Sequence, residues 1–282
     1  MRKLLVAALG AVLVCSSVSA NAQSRPLVTE DPETVPAGFV LFEAGVDFAK
    51  EAKYPAAGLE GSLRRFGTFG LSLGVSSIAE IQVDGALRDQ LRVTAVSPTS
   101  PFVGTFDVDD TTSSFGDLSV GAKVRLVSET ASRPAFAVRF STKLPNASTD
   151  SGLGTGTMDF YYGIGLAKTV QSVRIAANAG FGMLGDPLVA GENHDVLAYG
   201  FSVARAVAQG VEIVGEFNGR SYLGDLEDPV GAETRSIVRV GTRFTRGPVR
   251  FDGALLLGIT DEDPTWGVTA GLTWVFRAFT VQ

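Results

Sequence analysis

Long runs of strict period-two alternation limit this chain to very few folds, because a strand must alternate residue by residue when its two faces meet different surroundings. The C-terminal stretch shows it most cleanly: Trp266, Val268, Ala270, Leu272, Trp274 and Phe276 alternate with Gly267, Thr269, Gly271 and Thr273. Before it, Val249, Phe251, Leu255, Leu257 and Ile259 oppose Arg250, Asp252, Ala254, Gly258 and Thr260. Earlier still, Val238, Val240 and Phe244 oppose Arg235, Arg239 and Arg243. The same separation sets Phe160, Tyr162, Ile164 and Leu166 against Asp159, Gly163 and Gly165, and Phe136, Val138 and Phe140 against Arg139, Ser141 and Lys143. Near the start, Ile81, Val83 and Leu87 oppose Glu80, Gln82, Asp84 and Arg88. The pattern weakens between Gly58 and Val75, where Arg65 falls on the apolar parity, and around Arg205, which reads as a strand's periplasmic end.

Counted this way, strands are expected near residues 39–50, 62–75, 78–95, 117–128, 134–145, 157–170, 173–185, 195–207, 210–222, 232–245, 248–260 and 265–277. Each is twice or more the roughly 5 to 6 residues of an ordinary globular strand, and long enough for the ~9 to 11 tilted residues that cross a bilayer. The connections are sorted as well. Tight links at Ser76-Ser77, Ser128 to Arg133, Gln171-Ser172, Ala208-Gln209 and Arg246-Gly247 alternate with longer ones such as Pro98 to Gly116, Asn146 to Gly156 and Asp186 to His194. Outer-membrane barrels have short periplasmic turns and longer outer loops.

Alternation alone does not say which face points out, since a soluble β-sandwich or lipocalin-like barrel also has one apolar and one polar face. The even strand count, sorted loops, long strands and heavily charged polar face together favour the bilayer, with apolar residues toward lipid and charged ones toward a lumen. The expected fold is therefore an all-β, transmembrane, antiparallel up-and-down barrel of about 12 strands over residues 39–282. No run of 18 or more apolar residues follows the N-terminus, which excludes a helical membrane protein. Glycine, 33 of 282 residues, exceeds the usual ~7% and favours a β-rich chain.

Residues 1–22 read as a cleaved signal peptide: Arg2 and Lys3, an apolar run from Leu4 to Cys15, then Ala20-Asn21-Ala22 as the cleavage site before Gln23. Val14 before Cys15 argues against a lipoprotein signal. Cleavage leaves 22 basic against 30 acidic residues, a net charge of −8, so nucleic acid is not an expected partner. Cys15 is the only cysteine and leaves with the signal, which excludes disulfides and thiolate chemistry from the mature protein. The polar segment 23–38, with Pro26, Pro32 and Pro36, reads first as a periplasmic tail and second as a partial plug folded into the lumen.

The run Thr269 to Phe276, T-A-G-L-T-W-V-F, resembles the terminal-strand signal of outer-membrane proteins, with Gly271, Trp274 and Phe276 in the places read by barrel-insertion machinery. Because six residues follow Phe276, Phe279 is an alternative last position. The stretches Arg25 to Phe48 (RPLVTEDPETVPAGFVLFEAGVDF), Ser76 to Asp84 (SSIAEIQVD) and Gly154 to Lys168 (GTGTMDFYYGIGLAK) resemble the meta-pathway phenol-degradation family of transporter-like outer-membrane barrels. That resemblance implies a barrel passing small, often aromatic or apolar compounds across the outer membrane. It carries over no site residues.

Little in the chain supports catalysis. The one histidine, His194 beside Asp195, is read in an outer loop; there is no Gly-x-Ser-x-Gly elbow, His/Cys ligand cluster or phosphate loop. Acidic clusters at Asp107 with Asp109-Asp110, at Asp225 to Asp228 and at Asp261-Glu262-Asp263 read as solvated turns, with divalent-cation bridging to lipopolysaccharide phosphates as the second reading. No metal site and no cofactor is assigned, and no enzyme activity is expected.

The lumen is the expected site. If the hairpin through Gly224 to Gly231 is symmetric, Glu216 faces Arg239 and Glu212 faces Arg243, with Asp252 on the next strand and Arg235 nearby. These six residues are candidates for a charged constriction or for a wall-stiffening ion-pair network. The expectation is a passive channel for small, hydrophobic or aromatic molecules, embedded in outer-membrane lipid and lipopolysaccharide. The alternatives are a closed structural or adhesive barrel acting through its outer loops and, behind it, a barrel hydrolase using His194. A short N-terminal segment argues against energy-coupled import.

Overall fold

A computed structural model describes residues 25–224 and 228–280; the signal peptide, its cleavage site and Asp225 to Glu227 of one acidic cluster lie outside the described residues. Long strands pair with their sequence neighbours throughout: β1 (Phe39–Tyr54), β2 (Leu59–Gly74), β3 (Ala79–Val96), β4 (Thr111–Ser114), β5 (Leu118–Val127), β6 (Ala135–Leu144), β7 (Asp159–Val170), β8 (Val173–Gly185), β9 (Asn193–Ala208), β10 (Val211–Tyr222), β11 (Arg235–Arg246), β12 (Val249–Gly258) and β13 (Trp266–Arg277). All pairings are antiparallel, and β1 pairs with β13 from Phe39↔Arg277 to Lys50↔Trp266. That pairing closes the sheet and leaves it no free edge, as hydrocarbon requires.

The short β4 was not expected. It pairs with β3 as Asp89↔Ser114 to Arg92↔Thr111, and β5 pairs with β3 as Ala79↔Val124 to Asp84↔Ser119, in one register. β4 and β5 are thus two halves of one wall strand interrupted at residues 115–117, and the barrel has twelve wall strands. The last strand ends at Arg277, so Phe279 lies beyond it and Phe276 is the final aromatic in the strand.

Large apolar side chains on the predicted outward parity are exposed, among them Phe140 (61%), Leu255 (62%) and Val240 (58%). In a bilayer these meet lipid. The opposite parity is buried and polar: Glu43, Glu80, Lys123, Glu216, Arg243 and Thr273 are each less than 9% exposed.

The weak region from Gly58 to Val75 has a local cause. Gly67 adopts φ +62°, and the β1–β2 register slips by one residue between Gly45 and Val46. The bulge reverses which parity faces inward. It continues across the wall through Leu87, opposite Gly67, to the break at residues 115–117. Below this line Glu80, Gln82 and Asp84 face the lumen. Above it Arg65 and Asp89 pair inward at 3.3 Å, while Arg88, expected on the lumenal parity, is exposed on the outer face. Beyond the line the inner face turns apolar: Leu59, Leu63, Leu91 and Val93 are buried together, covered by Phe102, Phe106 and Leu153 from outer loops. β1–β4 therefore end as a sheet with apolar inside and polar outside, the reverse of a bilayer-spanning wall.

Candidate functional site: the lumen and the segment within it

The β10–β11 hairpin places Glu216 opposite Arg239 and Glu212 opposite Arg243, and Arg243 in turn faces Asp252 on β12. Both pairs are ion pairs, at 3.7 and 3.8 Å. Arg250 adds a second cation to Glu212 at 3.8 Å. Arg239 also donates to the Asn218 carbonyl oxygen at 2.5 Å. Arg235 sits higher, opposite Arg220; both share the Glu233 carboxylate, at 3.8 and 3.3 Å.

What holds Glu216 is the N-terminal segment. Residues 25–38 do not trail from the barrel as a tail; they run inside it, anchored residue by residue to the wall. Val28 and Thr29 donate their backbone N–H groups, and Thr29 its hydroxyl, to the Glu216 carboxylate at 2.6 to 3.1 Å. Arg25 donates to Thr269 at 2.9 Å, pairs with Asp252 at 3.5 Å, and offers its carbonyl to Arg243 at 2.7 Å. Glu30 pairs with Arg139 at 3.0 Å and Lys123 at 3.4 Å, and exchanges backbone hydrogen bonds with Asn178 at 2.7 and 3.0 Å. Asp31 is gripped by Arg174, Glu33 by Arg125, and the Val35 N–H donates to Glu80 at 2.5 Å. With Glu43, which accepts the Arg25 N–H at 3.3 Å, these partners lie on β1, β3, β5, β6, β8, β10, β11, β12 and β13, so the segment crosses the bore rather than lining one side.

Sequence reasoning missed Lys123, Arg125, Arg174 and Asn178 as site residues. Their only sequence mark is a charge or amide on the inward parity. The partner carboxylates lie on a non-strand segment with no period to read.

Above the segment a cavity of about 400 Å³ remains. Val28 to Pro32 floor it, Arg139, Ser141, Asp84 and Tyr161 line one side, and Gly163, Gly165, Gly180 and Gly200 leave the other wall without side chains. Val28, 56% exposed, is aimed into this space. The surface is mixed, with ionic groups on one flank and small apolar ones on the other.

His194 occupies the second position of β9 and joins Asp186 at 2.7 Å, edge-on to Tyr222 at 6.0 Å. Asp186 is held below the usual carboxylate range by the N–H of Leu188, and further by His194 and the N–H of Val189. The pair closes the loop 186–192. The acidic clusters are engaged locally: Asp109 pairs with Arg92, Asp110 accepts the Asp107 N–H, and Asp263 accepts the N–H groups of Ser236 and Thr260. Among the described residues no group of three or more His, Cys, Asp or Glu is placed to hold a metal ion. At the insertion signal, the Trp274 and Phe276 rings lie 4.5 Å apart, tilted by 36°, and Gly271 lets Arg25 approach the wall within 2.6 Å of where a Cβ would sit.

The sequence matches the family described as "Putative MetA-pathway of phenol degradation" over residues 24–276. The chain belongs to that family. No curated relative matches. Among solved structures, this family member is similar to the COG4313 outer membrane channel of Pseudomonas putida F1, with TM-score 0.59, 13% identity, 87% of this chain and 98% of the other covered. It is also similar to the NanC porin, with TM-score 0.51, 6% identity, and 83% and 98% covered. These likenesses show a shared barrel fold. The family, the closed wall and its apolar outer face place the protein in a bacterial outer membrane.

Proposed function

We propose that this family member is a channel for passive passage of small molecules, with hydrophobic or aromatic compounds as its solutes. One observation carries the reading: a closed wall surrounds a cavity of about 400 Å³ with an ionic flank and a glycine-rich flank, above a segment tied to the wall mainly by polar contacts, as at Arg25, Thr29 and Asp31. A volume of this order accommodates a small aromatic molecule. The family description, phenol degradation, points to the same solute class. The two similar structures, a channel and a porin, agree with it.

Residues 25–38 act as a gate on this reading. Their anchors are ion pairs and hydrogen bonds, each of modest net strength, joined by two small apolar contacts, Leu27 against Ala204 and Val214 and Val35 against Leu41 and Val275, so displacement breaks none of the strand pairings that hold the wall. Arg239, Arg243, Glu212, Glu216 and Asp252 set the charge that a solute meets once the segment is displaced. The test is solute uptake into liposomes holding the refolded protein. Phenol-sized aromatic solutes should enter faster than into protein-free liposomes, and faster again when residues 25–35 are removed. Equal rates in all three would reject the channel.

A further inference from the structure

We propose that Arg64 and Arg88 form an outward-facing site for the phosphates of lipopolysaccharide in the outer leaflet. The argument begins with where the lipid-facing band stops. On β2 the outward apolar side chains run from Val75 (37% exposed) through Leu71 (40%) to Phe66 (44%). On β3 they run from Ile78 (48%) through Ile81 (44%) to Leu87 (59%). Each band spans ten residues by its end numbers, matching the ~9 to 11 tilted residues that cross a hydrocarbon core. Beyond the bulge line the outward positions become Arg64 and Ser62 on β2, and Arg88, Gln90 and Arg92 on β3. Arg64 and Arg88 are thus the first outward groups past the hydrocarbon on adjacent strands, on the side carrying the long loops.

Register confirms that they share the outer face. Phe48, Arg64 and Gln90 are cross-strand partners, as are Val46, Phe66 and Arg88. Phe48 packs on Trp266 at 5.3 Å, an aromatic pair of the kind that sits at headgroup depth. Arg64 and Arg88 are diagonal neighbours, a spacing of roughly 7 to 8 Å between residues, which two guanidinium groups can close around one phosphate.

Among the described residues neither cation has a carboxylate partner. Arg65 takes Asp89 on the inner face, and Arg92 takes Asp109 at 3.0 Å. Arg88 donates only to the Ser113 hydroxyl at 3.3 Å, and Arg64 has no ion pair among the described residues. In a chain of net charge −6, two adjacent exposed arginines without carboxylates stand at the depth where phosphates of the outer leaflet lie. In the acidic outer loops Asp109 pairs with Arg92, while Asp110 and Asp263 accept backbone N–H groups, so none of these three carboxylates pairs with Arg64 or Arg88.

The proposal rests on membrane placement and not on the channel reading. Full mature protein, folded in detergent and checked by heat-shifted gel mobility, is titrated with bisphosphorylated lipid A and with lipid A stripped of phosphate, read by native mass spectrometry. Wild type should prefer the phosphorylated lipid. The double variant Arg64→Gln, Arg88→Gln should bind it roughly thirtyfold more weakly, at about one decade or less per arginine. The double variant Arg64→Lys, Arg88→Lys should retain most of the binding. Wild type binding both lipids equally would overturn the proposal, as would the glutamine variant matching wild type. Full displacement of the lipid by millimolar inorganic phosphate would assign the pair to free phosphate and overturn the lipid assignment. Should the glutamine variant fail to fold, the wild-type comparison of the two lipids decides alone.

Discussion

At the scale of single residues, Glu216 joins the wall to the N-terminal segment. Its carboxylate accepts from Val28, Thr29 N–H and Thr29 hydroxyl while paired with Arg239. Glu216→Ala strands those donors and leaves Arg239 with one fewer anion, at a cost of about 1 to 3 kcal/mol. Limited proteolysis should then cut near residues 25–30 faster than in wild type, with the heat-shifted band unchanged. An unchanged cleavage rate would remove Glu216 from the anchor. Arg239→Glu should shift ion selectivity toward cations, measured as reversal potential in a salt gradient; unaltered selectivity in a conducting protein would take Arg239 out of the path. The Asp186–His194 contact carries a pH dependence. The carboxyl of Asp186 is held below its usual range by the Leu188 N–H, then by His194, so its contribution is complete above the unfolded carboxyl pKa of about 3.9 and is lost as pH falls through the lower folded value. Hydrogen exchange in loop 186–192 should rise on acidification to below pH 4, and Asp186→Asn should remove that rise.

At the scale of elements, the hairpins were legible and the bulge line was not. The Glu216↔Arg239 and Glu212↔Arg243 pairs follow from one turn and two alternating strands, so counting back from the turn recovers them. The parity reversal at Gly67, Leu87 and residues 115–117 depends on one extra residue in each of three neighbouring strands, of which only Gly67 is distinctive. A local reading therefore set Arg65 on the lipid side and Arg88 on the lumen side, when the bulge exchanges them. The short β4 escaped for the same reason, because a four-residue strand after a long loop carries too few alternations to register. Gly67 is testable. Its φ of +62° is costly for other residues, and a Cβ would lie 2.9 Å from Leu87 Cδ1. Gly67→Val should lose about 1 to 2 kcal/mol or more, seen as a lower midpoint in urea unfolding from lipid. An unchanged midpoint would mean that the bulge is not required there.

At the scale of the whole molecule, alternation and loop sorting specified a twelve-stranded wall because each is a repeated, local consequence of a bilayer. The path of residues 25–38 was not legible. Its anchors join positions up to 244 residues apart, as between Arg25 and Thr269, and nothing in a proline-spaced polar stretch announces those partners. On the proposed reading, this segment decides whether the bore conducts. It crosses between β6–β8 and β12–β13, and the cavity of about 400 Å³ lies on one side of it. The measurement that bears most directly on this account is single-channel conductance in a planar bilayer, comparing the mature protein with a variant lacking residues 25–35, each verified as folded by heat-shifted mobility. A gated channel predicts small or intermittent steps from the full chain and larger, sustained steps from the shortened one. Silence from both folded proteins would contradict it, and would mean that the wall is closed to ions whatever the segment does.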